Sequence, residues 1–187
     1  EIRLSLVGSE MCIRDSPYID EPYGPNWKDM QELFFKAANI PDERIHIMTS
    51  NDWQDYDNKI RNAGGIDVMV IGLGYDGHFC GNCPRCTPFD SYTYCIDFKK
   101  KQAVNPDYGD RPRQPHTLTM GPKSLMRVKH LVMIVNGKEK AEIFKRFLDE
   151  PINQDVPATI LKLHPNFTVI CDQAAASLID PQQYSNL

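Results

Sequence analysis

Residues 64–86 read GGIDVMVIGLGYDGHFCGNCPRC, and Asp76, His78, Cys80, Cys83 and Cys86 in that stretch are side chains able to move protons or hold a metal. A carboxylate two residues before an imidazole can orient the ring and stabilise its protonated form, which suits acid–base work near neutral pH. Asp-Gly is also a common tight-turn pair, so the same residues could serve only to shape a loop. Cys80, Cys83 and Cys86 repeat as C-x-x-C-x-x-C with Cys95 further on, a set that could ligate zinc or an iron–sulfur cluster. Its spacing differs from paired C-x-x-C knuckles. Buried structural thiols, or a thiol used at the site, are the other readings, and no metal is expected.

The glycines Gly72, Gly74 and Gly77 satisfy G-x-G-x-x-G, with Asp97 about twenty residues later, as a dinucleotide fingerprint would require. That fingerprint needs a helix beginning within the glycines so that its amides hold the pyrophosphate. Gly81, Pro84 and Pro88 leave no room for one. No nicotinamide or flavin, and no other cofactor, is expected.

The elements around this loop must place it. Residues 66–71 are predominantly β-branched and apolar, as expected of a strand covered on both faces of a parallel sheet, where ligands bind beyond the strands' carboxyl ends. Asn26 can cap a helix running to Ala38, with Trp27, Met30, Leu33 and Phe34 on one face. Residues 44–48 read as a short strand, and 52–63 as a helix closed by Gly64-Gly65. An outer strand is expected over 92–98. The charged, proline-bearing stretch 99–115 is a candidate lid. Strands over 129–135 and 167–171, and helices over 138–148 and 158–163, complete the pattern. Apolar runs alternating with helical periodicity predict a Rossmann-like, three-layer α/β fold with a mainly parallel sheet.

The composition excludes several classes. The chain has 187 residues, 41% of them hydrophobic, and a net charge of −4, which describes one globular domain without the basic field that nucleic acid requires. No apolar run approaches the ~18 residues needed to cross a bilayer. Six cysteines in a chain of this size fit a reducing compartment better than a disulfide scaffold, so a cytoplasmic protein is expected.

The segment LVGSEMCIRDS, residues 6–16, resembles a translated transposase adapter from DNA library preparation. Residues 1–16 are therefore expected to be artefact. Residues 17–187 are expected to form a single domain lacking part of its amino-terminal end.

GGIDVMVIGLGYDGHFCGN, then LTMGPKSLMRVKHLVMIVNGKEKAEIFKRFL and PATILKLHPNFTVICDQAAAS, resemble the glucosamine-6-phosphate deaminase and 6-phosphogluconolactonase superfamily over about residues 26–177. The G-H-F-C-G-N variant is nearest to a deaminase-like branch. The resemblance implies a Rossmann-like fold acting without a nucleotide on a phosphorylated sugar or its lactone. It implies that His78 assists ring opening with Asp76 in support, within a loop built on Gly72, Gly74, Gly77 and Asn82. Lys140 would bind the sugar phosphate. Asp20, of Ile19-Asp20-Glu21, would be the base that shuttles a proton between sugar carbons. Cys83 stands where the deaminases place a glutamate, so the Asp-His-Glu relay is incomplete and a thiol supplies no permanent charge.

Three activities follow: a sugar-phosphate isomerase or deaminase, a lactonase in which His78 activates water, and a non-catalytic sugar-phosphate binder. The implied partner is a phosphorylated sugar. No nucleic acid or membrane is expected, and a homo-oligomer is compatible with the family.

Overall fold

The computed structural model describes residues 30–97 and 116–184. The adapter-like segment, Asp20 and the candidate lid lie outside the described residues. Helix α1 spans Tyr56–Asn62 and strand β1 Val68–Gly72; β2 is Tyr94–Asp97 and β3 His116–Thr119. Helix α2 is Pro122–Leu125, β4 is His130–Val135, α3 is Ala141–Asp149 and β5 is Phe167–Cys171.

β1, β4 and β5 form a parallel sheet in that order, with Ile71 opposite Met133 and Met133 opposite Val169. β2 and β3 pair antiparallel as a separate ribbon, so the expected outer strand is Tyr94–Asp97 and joins no parallel neighbour. Among the described residues no helix is long and apolar enough to cross a membrane.

One face of the sheet carries the core. Met69, Ile71, Leu131, Met133 and Val135 are buried there against Ile143, Phe144 and Phe147 of α3. Phe147 meets Phe167 edge to face, with ring centroids 6.2 Å apart. The α3 sequence AEIFKRFLD repeats its apolar residues at helical spacing, and its outer side is laced by Lys145–Asp149 and Arg146–Glu150 pairs at i,i+4. Burying each of Ile143, Phe144 and Phe147 contributes about 1.5–3 kcal/mol.

The opposite face is less covered among the described residues. Val68, Ile134 and Ile170 are exposed on it, the last at 54%.

Two local expectations also change. Residues 44–48 form no strand: Asp42–Arg44 is a 3₁₀ turn, and the extended backbone from Ile45 onward pairs with no strand among the described residues. The Tyr56 hydroxyl takes the His46 carbonyl instead. In the first helix, Gln31–Phe35 is π-helical, with the Lys36 amide on the Gln31 carbonyl. The wider turn moves the buried position from Phe34 to Phe35, and leaves Leu33 79% exposed although it was expected on the inner face. The helix before β1 ends as expected at Gly64-Gly65, through a paired closure of the Gly65 amide on Ile60 and the Gly64 amide on Arg61. The helix expected over 138–148 opens as a 3₁₀ turn, Lys138–Lys140, before α3, and the expected 158–163 helix is the 3₁₀ segment Pro157–Leu163.

Candidate active site

Beyond Gly72 the chain leaves the sheet and turns back on itself without forming a helix before β2. The Gly74 amide donates to the His78 carbonyl at 2.7 Å, and the Gly77 amide to the Gly74 carbonyl at 3.0 Å. The Ala158 amide donates to the Gly77 carbonyl, tying the loop to Pro157–Leu163. Gly77 has φ +85, and a β-carbon there would lie 2.8 Å from Val156 Cγ1, so both conformation and space require glycine.

Inside this loop the expected pair is formed. His78 Nδ1 lies 2.5 Å from Asp76 Oδ1, which also accepts the His78 backbone N–H at 3.1 Å. The two side chains are 14% and 31% exposed, so the pair is sheltered yet open to solvent. An ionised carboxylate only accepts, which fixes the proton on Nδ1 and leaves Nε2 as the nitrogen able to take or give one. Nε2 has no hydrogen-bond partner among the described residues. Gly74 lies directly against the ring.

Lys140 reaches the same loop from the start of α3. Its Nζ donates to the Leu73 carbonyl at 2.6 Å and sits 3.5 Å from the centroid of the Tyr75 ring. A cation is thus held at the carboxyl end of β1, beside the imidazole–carboxylate pair. Spacing in the sequence carried no signal for Tyr75, because the contact spans 65 residues and exists only once the sheet forms.

Asn82 lies in the loop as expected, and its side chain fastens the loop to the neighbouring chain. It is fully buried, donates to the Met120 carbonyl at 2.8 Å and accepts the Tyr94 hydroxyl at 3.1 Å. Burial pushes the Tyr94 hydroxyl well above its ordinary value, so it stays a donor. Gly81 is held in the same way by Thr119 Oγ1.

The cysteines scatter around this fastening. Cys83 is buried and its thiol donates to the Gly81 carbonyl at 3.3 Å; the Cys86 thiol points at the Cys83 carbonyl. Burial, then the neighbouring Asp97, pushes the Cys95 thiol up. Among the described residues no group of three or more histidine, cysteine or acidic side chains is placed to hold a metal ion.

The family of glucosamine-6-phosphate isomerases and 6-phosphogluconolactonases matches residues 23–170. The glucosamine-6-phosphate deaminase of Shouchella clausii is 34% identical over 160 residues, 80% of this chain and 64% of that protein. That of Clostridium acetobutylicum is 35% identical over 159 residues, 80% of this chain and 66% of that protein. The chain thus spans just under two thirds of these relatives' length. A solved monomeric glucosamine-6-phosphate deaminase superposes with a TM-score of 0.70 at 28% identity, covering 86% of this chain and 69% of that one. The 6-phosphogluconolactonase of Leishmania guyanensis shares the fold, with a TM-score of 0.64 at 16% identity over 89% of this chain and 73% of that one. A match over this much of the chain, with the G-x-G-x-D-G-H loop folded around its histidine, places the chain in the glucosamine-6-phosphate isomerase and 6-phosphogluconolactonase family.

Proposed function

We propose that the protein is a sugar-phosphate isomerase of the deaminase type, converting a 6-phosphorylated 2-amino sugar and water into the ketose phosphate and ammonia. The observation that carries this reading is the 2.5 Å contact between His78 Nδ1 and Asp76 Oδ1 at the carboxyl end of β1. With Nδ1–H committed to Asp76, Nε2 takes the proton of the anomeric hydroxyl and returns it to the ring oxygen as the pyranose opens. The bond from C1 to the ring oxygen breaks, the aldehyde forms, and no net proton is consumed. Asp76 stabilises the transient imidazolium. Lys140 receives the 6-phosphate. Asp20 is the base that moves a proton from C2 to C1, after which water adds to the C2 imine and ammonia leaves.

A second reading, lactone hydrolysis with His78 activating water, is favoured by one feature. The Cys83 thiol is turned to the Gly81 carbonyl and brings no carboxylate to the pair. One experiment separates the two: intact protein assayed for ammonia from glucosamine 6-phosphate beside hydrolysis of 6-phosphogluconolactone, with His78→Ala as control. Ammonia release abolished in the variant supports the first reading, and lactone turnover alone supports the second. A rate unchanged by His78→Ala sinks both.

A further inference from the structure

At the amino end of β1, the opposite end from His78, α1, the Gly64-Gly65 turn and α2 line a cavity of about 380 Å³. β1 spans five residues, so roughly 17 Å of strand separates the two regions. The volume falls within the ~300–1,000 Å³ of small-molecule sites. Part of the wall is apolar, including the buried Ile66 and Met120. Arg61 and Arg127 also line it, with Asp57 and Ser124.

The charges are unevenly committed. Asp57 is engaged at both oxygens, accepting the Ser124 hydroxyl at 2.5 Å and the Thr93 amide at 2.9 Å, so it knits the wall together. Arg127, an exposed residue, donates to the Tyr92 hydroxyl and lies over that ring, its Cζ 4.6 Å from the centroid. Arg61 donates to the neutral Asn58 side chain. Among the described residues neither guanidinium forms an ion pair with a carboxylate. Two forked cations therefore line one partly apolar cavity, in a chain whose net charge is −4. That chemistry recognises a phosphate or carboxylate attached to an apolar body.

We propose that this cavity is a second binding site, for a small organic anion with an apolar body and one phosphate or carboxylate group. It is independent of the activity at His78. The test is titration calorimetry of the intact protein with phenyl phosphate and, in a parallel arm, benzoate. At least one probe should bind saturably with a Kd of about 1 mM or tighter, and the tighter of the two identifies the anion. Arg61→Ala with Arg127→Ala should weaken binding at least about tenfold, while Lys140→Ala and His78→Ala leave it unchanged. Arg127→Lys, which keeps the charge and loses the fork, should weaken it several-fold even if the double variant fails to fold. No saturable binding of either probe, binding indifferent to both arginine variants, or binding lost with Lys140→Ala would overturn the assignment.

Discussion

Gly74 is packed so closely beneath His78 that a β-carbon at position 74 would lie 2.1 Å from the imidazole Nδ1. No side chain fits there unless the ring moves. Gly74→Ala should therefore displace His78 from Asp76 and lower kcat by about 10²-fold, the loss expected from misplacing a catalytic group by about an ångström. Steady-state kinetics beside a circular dichroism melt decides it: an unchanged kcat would show that the ring position is not critical.

Asp76→Asn keeps the shape of the loop and removes the charge that fixes the tautomer and steadies the imidazolium. Turnover should fall between about 10²- and 10⁴-fold with KM little changed. A variant that loses affinity but keeps its turnover number would mean that Asp76 binds substrate and does not serve His78.

Removing the ammonium with Lys140→Met should raise KM for a phosphorylated sugar by about 10- to 100-fold, the worth of a charge-assisted hydrogen bond. The same variant should leave KM for a non-phosphorylated analogue unchanged. Equal effects on both substrates would place Lys140 outside phosphate recognition.

Much of this site was legible in the residues. Asp76 and His78 are two apart in one loop, so their pairing is local and needed only the turn that Gly77 permits. β1, β4, β5 and α3 follow from apolar runs long enough to outweigh local competition. What was not legible depends on distant chain. The π turn at Gln31–Phe35 shifts a buried face by one residue, and no periodicity announces an added residue. The Asn82 side chain is engaged by Met120 and Tyr94, 38 and 12 residues away, which no local pattern announces.

Tyr94→Phe leaves the buried Asn82 carbonyl oxygen without its donor. Stability should drop by about 1–3 kcal/mol, visible as a lower urea midpoint with an unchanged slope. A neutral result would require another donor to reach Asn82.

Asp172 binds the Ala175 and Gly137 amides through its two oxygens, and these bonds hold its carboxyl below the ordinary 3.8. A carboxyl depressed by folding adds stability that is fully present above the unfolded value of about 3.9 and is lost as pH falls through the lower folded value. Melting temperature should therefore decline as pH drops below about 4, and Asp172→Asn should decline less steeply over that window. Parallel curves for the two proteins would remove Asp172 as a source of acid sensitivity.

The apolar residues left exposed on one side of the sheet among the described residues bear on how this chain behaves in a tube. Val68, Ile134 and Ile170 offer water an apolar surface, and stacking one such surface against another is opposed by the repulsion between molecules carrying four net negative charges. That repulsion vanishes near pH 5.7. Turbidity should peak there, rise with added salt at neutral pH as the charges are screened, and recede when Ile134 and Ile170 are both replaced by lysine.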